Sequence, residues 1–356
     1  MKRKDYQKKS KPSKKRLAIK VSLLVTLSAF LVIATYAATL LNKAEKVIEE
    51  SHEPVPNRPK SDLRVVKVEP AHDNISILFI GVDDSEVRHQ GDSNSRSDAL
   101  LFATLNPNKK SVKLVSIPRD SYVYIPEVGY HDKITHAHAF GGTKATIETV
   151  EEMFDIPVDY YVKMNFNAFI DVVDALGGIE AEVPYDRIEK DENDKYTIHL
   201  KPGLQHLDGK HALALARTRK LDSDVERGKR QQMILQSIMK EAVSVKSITK
   251  YGDVIEALGD NMKTDMTFKE ITALFEYANG GMPQVDAISL KGDDWWKEYE
   301  SRPRVYFWKL DDTDLNNVKD LLKAHLGIIP DSSSLTDSSS SLTGSANKAP
   351  EERFNN

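Results

Sequence analysis

NISILFIGVDD (74–84), SRSDALLFATLN (95–106) and SVKLVSIPRD (111–120) are the stretches from which the fold is read. Each carries an apolar, β-branched run bounded by polar residues, the pattern of a buried strand. Asn106-Pro107-Asn108 joins the second run to the third as a turn. Helical patterns follow. TKATIETVEEMF (143–154) has Thr143 as its N-cap, and NFNAFIDVVDALGG (165–178) is closed by Gly177. A further helix is predicted from Arg227 to Val243, strands at 285–290 and 304–310, and a closing helix over TDLNNVKDLLKAHLG (313–327). Strands and helices interleave, which predicts an α/β fold built on a mixed central sheet.

Around this core the charge is unevenly spread. The 356 residues sum to a formal charge of −4 and include no Cys, which excludes disulfides, thiolate metal sites and a Cys nucleophile. Residues 1–20 hold ten Lys/Arg and one Asp, a net of +9, leaving −4 − 9 = −13 for the remainder. Residues 21–41 carry no charge at all. At ~1.5 Å per residue this run spans roughly 31 Å, one hydrocarbon core. A cleaved signal peptide would have a shorter apolar region and a small-x-small site, and Tyr36-Ala37-Ala38 is a poor one. The run therefore predicts an uncleaved anchor. The basic flank places the N-terminus in the cytoplasm and the rest outside, with the basic residues against anionic lipid heads rather than on nucleic acid. The expected organisation is a cytoplasmic tail (1–20), a single transmembrane helix (21–41), a Pro-bearing stalk (42–72) helical to about Ser51, a folded outer domain (73–330) and a Ser-rich tail (331–356) without fixed structure.

Three motifs could carry chemistry. The first strand ends in Gly81-Val82-Asp83-Asp84, the second follows Ser95-Arg96-Ser97-Asp98, and the third ends in Ile117-Pro118-Arg119-Asp120. If the first two strands pair antiparallel, Asp83 and Asp98 meet at one sheet edge with Arg96 beside them. The pattern leaves open where the third strand ends. Two close carboxylates repel unless a cation neutralises them, and a hard divalent ion with oxygen ligands does so. Turn aspartates in surface ion pairs are the plainer alternative.

RTRKLDSDVERGKRQQM (217–233) concentrates basic residues in an acidic chain. The alternation in ALALARTRK (212–220) is read as a strand that puts Arg217 and Arg219 on one face. Arg227 and Gln231 stand i, i+4 on the helix that follows. Guanidinium forks match phosphate oxygens and stay charged, and a helix start adds free N–H groups, so the cluster suits a pyrophosphate. A solvated basic face is the alternative. DKITHAHAFGG (132–142) offers His136 and His138 without a third ligand, which points to structural hydrogen bonding in a loop. No phosphate-binding P-loop, serine-hydrolase elbow or zincin motif is present.

Taken together with VKLVSIPRDSYVYIP, DIPVDYYVKMNFNAF, DVVDALGGIEAEV, LDGKHALALARTRK and ERGKRQQ, in that order, these motifs resemble the LytR-CpsA-Psr family over about residues 64–330, particularly the group acting on wall teichoic acids in Gram-positive bacteria. The resemblance implies a three-layer α/β/α sandwich whose interior accepts a prenyl chain. It implies a phosphotransferase that moves an anionic glycopolymer from an undecaprenyl pyrophosphate carrier to the 6-hydroxyl of N-acetylmuramic acid in peptidoglycan. Carried over by motif, Asp83 and Asp98 would hold Mg²⁺ (or Mn²⁺). Arg96, Arg119, Arg217, Arg219, Arg227 and Gln231 would bind the pyrophosphate, with Asp83, Asp98 and Arg119 catalytic. A lipid-pyrophosphate-binding regulator without chemistry is the competing reading. The apolar tunnel for the lipid is not visible in sequence, because every apolar helix stripe reads equally well as core.

Overall fold

The computed structural model describes residues 14–82, 96–191, 195–218, 224–242, 253–254, 257, 259, 261–278, 283–300 and 303–330. Two compact units are present, Met1–Lys46 and Val47–Asn356. Helix α1, Lys14–Ser51, contains a stretch, Thr26–Ser51, long and apolar enough to cross a membrane. The Ser-rich tail lies outside the described residues.

In the second unit the three opening strands form as read: β1 (Ile75–Val82), β2 (Ser97–Asn106) and β3 (Ser111–Ser116). With β6 (Tyr160–Asn165), β11 (Met262–Thr264) and β12 (Gln284–Ser289) they make a six-stranded sheet in the order β11-β6-β1-β2-β3-β12. β2 runs antiparallel to β1 and β3, whereas β6 is parallel to β1 and β12 is parallel to β3. The sheet is mixed, and the ends of β1, β3, β6 and β12 share one edge with the start of β2. Open α/β sheets place their ligands at such an edge.

Alternation along β1 decides the layering. Leu78, Ile80 and Val82 face a core shared with α2 (Thr135–Phe154) and α7 (Asp312–Leu326), through Val150, Phe154, Leu322 and others. Ile75 and Ile77 face the other way, into a cluster with Met266 and with Ile271 and Leu274 of α6 (Phe268–Ala278). Leu235 of α5 (Asp224–Ala242) packs on Leu101, Ala103 and Leu114 of the same face. Helices thus cover both faces of the sheet. A second cluster joins Val173 of α3 (Phe166–Leu176), Ile179 and Val183 of β7 (Ile179–Val183), and Leu215 of α4 (Gly209–Arg217).

Several local expectations are corrected. Residues 209–217 form helix α4, not a strand; Asp208 caps it by accepting from the His211 N–H, and Ala and Leu are strong helix formers whose alternation marks no polar face. The His136–His138 segment is the first turn of α2, not a loop. The helix expected at 143–154 is the second half of α2, past a break at Gly141 and Gly142, the latter at φ 63°. Residues 47–72, read as part of a stalk, pack on the folded unit. Arg58 pairs with Glu151 at 2.7 Å, Arg64 with Asp159 at 2.7 Å, and Val55 and Val68 are buried.

α4 approaches α3 closely at Gly209, whose N–H donates to Asp174 Oδ1 at 2.7 Å. A Cβ there would lie 2.3 Å from the Ile170 carbonyl oxygen, which is backbone and cannot swing aside. Gly209→Ala is expected to destabilise the fold by about 1–3 kcal/mol, read as a lower urea midpoint at unchanged slope.

Candidate functional site

A cavity of about 580 Å³ lies between the sheet and helices α3, α4 and α5. Phe79 and Leu101 from the sheet, Phe169 from α3, Leu213 and Ala214 from α4, and Ile234 and Ile238 from α5 give it apolar walls. Its polar lining comes from the strand ends and helix termini: Asp98, Arg119, Glu189, Lys190, Arg217, Arg227 and Gln231. Four cations and two carboxylates thus share the lining with the apolar walls. That combination suits an amphiphile with an anionic head.

The sheet register assembles the head site. Val82 pairs with Ser97 past a bulge, so Asp98 stands at the end of β1, and Leu101 pairs with Ser116, which brings the end of β3 to the same edge. Arg119 Nη1 consequently donates to Asp98 Oδ1 at 2.5 Å. The question that the strand pattern left open is settled by β2 standing between β1 and β3. Arg119 Nε is buried with no hydrogen-bond partner among the described residues.

Asp224, which the motif reading did not single out, ties two parts of the site. Its Oδ2 accepts the Arg119 backbone N–H at 3.0 Å, and its Oδ1 accepts from Arg227 Nη2 at 2.7 Å. An acidic residue in the first turn of a helix, three before an Arg, was the available signal. Arg227 is 3% exposed, and burial of a guanidinium requires an anion beside it. Arg217 stacks on Phe166 at 4.5 Å, and its Nη1 donates to the Asp191 carbonyl at 3.3 Å. Gln231 Nε2 donates to the Ala216 carbonyl at 3.3 Å.

The basic run divides by role. Arg217 and Arg227 line the cavity. Arg230 is buried and caps α4, donating from Nε to the Leu215 carbonyl (3.2 Å) and from Nη2 to the Thr218 carbonyl (2.8 Å). Lys229 is exposed and pairs with Glu226 at 2.6 Å. Arg96 is exposed just before β2, at the same edge but outside the cavity lining. Asp83 and Arg219 lie outside the described residues, as does Asp84.

His136 Nδ1 meets Asp132 Oδ2 at 2.9 Å, and His138 is buried. Burial pushes the Asp132 carboxyl up, but His136 and the Lys133 N–H outweigh it and hold it below the usual carboxylate range. Lys133 Nζ pairs with Asp120 at 2.9 Å. Among the described residues no three His, Asp or Glu side chains gather as a metal cage. Asp98 on the cavity wall is nevertheless a suitable donor for an ion that takes one or two protein carboxylates and fills its shell with phosphate oxygens.

The model of the LytR_cpsA_psr family matches residues 37–324. A polyisoprenyl-teichoic acid–peptidoglycan teichoic acid transferase, TagT of Bacillus subtilis (strain 168), is 40% identical over 334 residues, covering 90% of this chain and all of TagT. TagV of the same organism, of the same description, is 35% identical over 327 residues, 90% of this chain and 82% of TagV. Among solved structures, TagT bound to LIIa-WTA superposes with a TM-score of 0.66 at 38% identity, over 78% of this chain and 100% of that one. TagT with bound octaprenyl pyrophosphate lipid superposes with a TM-score of 0.61 at 37% identity, over 78% and 100%.

Proposed function

The chain belongs to the LytR-CpsA-Psr family, and from that premise we propose that it is a transferase that moves wall teichoic acid from a polyisoprenyl pyrophosphate carrier, undecaprenyl in the cell, to the N-acetylmuramic acid 6-hydroxyl of peptidoglycan. The observation that carries this reading is the amphiphilic cavity, apolar within and lined by Asp98, Arg119, Arg217 and Arg227 where the strands end. The prenyl chain enters the chamber and the pyrophosphate remains at the arginines. Helix α1 anchors the chain with its basic N-terminus in the cytoplasm and the larger unit outside, where both substrates are found.

Phosphoryl transfer needs positioning and charge neutralisation more than covalent help. The acceptor hydroxyl oxygen bonds to the sugar-side phosphorus as the bridging P–O bond breaks, and lipid monophosphate leaves carrying the hydroxyl proton. Arg119, Arg217 and Arg227 oppose the charge that develops on the bridging and peripheral oxygens. Asp224 fixes Arg119 and Arg227 before substrate arrives. Gln231 and Arg217 bind the same head, and Arg96 and Arg219 belong to this set by motif. Asp98, with Asp83, would hold Mg²⁺ (or Mn²⁺), which supplies further neutralisation at the phosphate oxygens.

The test uses the full chain in detergent with a polyisoprenyl-pyrophosphate-linked teichoic acid precursor, Mg²⁺ and uncrosslinked peptidoglycan. The expected product is polymer joined to the glycan by a phosphodiester, formed by the native chain and lost in Asp98→Ala. Tight binding of the lipid without transfer would overturn the reading in favour of a regulator, and release of free polymer phosphate without acceptor would make the chain a hydrolase.

A further inference from the structure

Beside the phosphate site stands a hairpin that the transferase reading does not use. Strands β13 (Gly292–Lys297) and β14 (Val305–Leu310) pair antiparallel, with Trp295 opposite Phe307 and Trp296 opposite Tyr306. Trp295 and Phe307 pack on Tyr122, each at 4.9 Å. That explains one face of the hairpin as core. It does not explain Trp296, which is 49% exposed. Arg304 lies over its ring at 4.9 Å and Tyr306 meets it edge-on at 5.3 Å. Tyr306 donates its hydroxyl to Asp294 Oδ1 at 2.8 Å. An indole is thus held rigid at the surface, flanked by a carboxylate that accepts hydrogen bonds and a guanidinium that donates them.

The hairpin is joined to the reaction site by direct contacts. The Trp308 N–H donates to the Asp120 carbonyl at 2.8 Å, next in sequence to Arg119. Asp120 pairs with Lys133 at 2.9 Å, and Lys133 Nζ lies 5.6 Å from the Tyr306 ring centre. Burial first, then the hydrogen bond and charge of Asp294 and the charges of Asp120 and Asp224, push the Tyr306 hydroxyl up.

We propose that Trp296, with Arg304 and Asp294, is a saccharide subsite that binds a pyranose ring of the acceptor glycan strand and so lines the strand up with the phosphate site; this rests on the transferase reading. A pyranose face presents C–H groups of positive potential to the negative face of an indole, and its rim hydroxyls need both donors and acceptors. The donor substrate also contains sugars, but the first donor sugar is bonded to the pyrophosphate and is held at the arginines, whereas Trp296 is reached from Asp120 only through Lys133 and the Tyr306 ring, which favours the acceptor.

The test compares the full chain with Trp296→Ala and Trp296→Tyr in detergent, by direct binding of short glycan strands and by transfer kinetics with each substrate varied. Trp296→Ala is expected to weaken glycan binding and raise the acceptor KM about tenfold, the scale of one stacking contact. The donor KM and the kcat at saturating acceptor stay unchanged, Trp296→Tyr recovers most of the loss, and the thermal midpoint is unmoved because the side chain is half exposed. Unaltered glycan affinity in Trp296→Ala would overturn the proposal, and so would a rise in donor KM alone, which would give the subsite to the donor sugar. If the native chain transfers nothing, the transferase reading fails separately, and glycan binding, which needs no turnover, still decides this one.

Discussion

Arg119→Ala is expected to slow polymer transfer by about a thousandfold, the range seen when one preorganised donor or transition-state arginine is removed. Three features of the site support so large an effect. The guanidinium is 2.5 Å from Asp98 and its side chain is 14% exposed, so it acts where water screens little. It lines the cavity together with Arg217 and Arg227, the wall against which the phosphate oxygens would stand. Its removal also leaves the Asp98 charge facing the bound pyrophosphate without its neighbour. The effect is chemical rather than architectural, because Asp224 holds the backbone N–H of residue 119, and the Asp224–Arg227 pair survives in the variant. Arg119→Lys is expected to recover only a small part, since an ammonium cannot serve Asp98 and phosphate through one planar fork. Single-turnover transfer with lipid-linked polymer measures this. A rate within tenfold of native would remove Arg119 from the reaction.

Ala214→Trp is expected to separate lipid recognition from head-group recognition. Ala214 is 2% exposed and lines the chamber wall, so an indole there occupies space meant for the chain. Excluding four carbons costs about 3 kcal/mol at ~0.8 kcal/mol per methylene, roughly a hundredfold in affinity. Binding of a long-chain prenyl pyrophosphate should fall by that factor, while a soluble short-chain pyrophosphate that uses only the arginines binds as before. Calorimetric titration of both ligands into the full chain, with its thermal midpoint as a folding control, makes the comparison. Equal loss for both ligands would mean that the chamber is not the prenyl site.

The strands read at 74–82, 98–106 and 111–118 were legible because β-branched runs between turn residues allow little else, and the helices read at 165–178, 227–243 and 313–327 form as Phe166–Leu176, Asp224–Ala242 and Asp312–Leu326, the first and last capped by Asn165 and Asp311. Asp98, Arg119, Arg217, Arg227 and Gln231, which the motifs singled out, all line the cavity. The misread segment, 212–220, shows the limit of pattern. Alternating Ala and Leu are both apolar, so their alternation carries no face, and Asp208 capping decided for helix.

By itself the sequence determined the α/β class, the apolar N-terminal run, and the gathering of basic residues at 217–231, since these follow from local chemistry along the chain. Only the tertiary structure decided that Arg119 meets Asp98, because that pairing depends on β2 lying between β1 and β3. It also decided which arginines of the run face the cavity and which one, Arg230, caps a helix. The chamber itself was invisible in sequence for a physical reason: an apolar side chain that lines a void and one that fills a core have the same periodicity, and only the distance between the sheet and helices α3, α4 and α5 tells them apart.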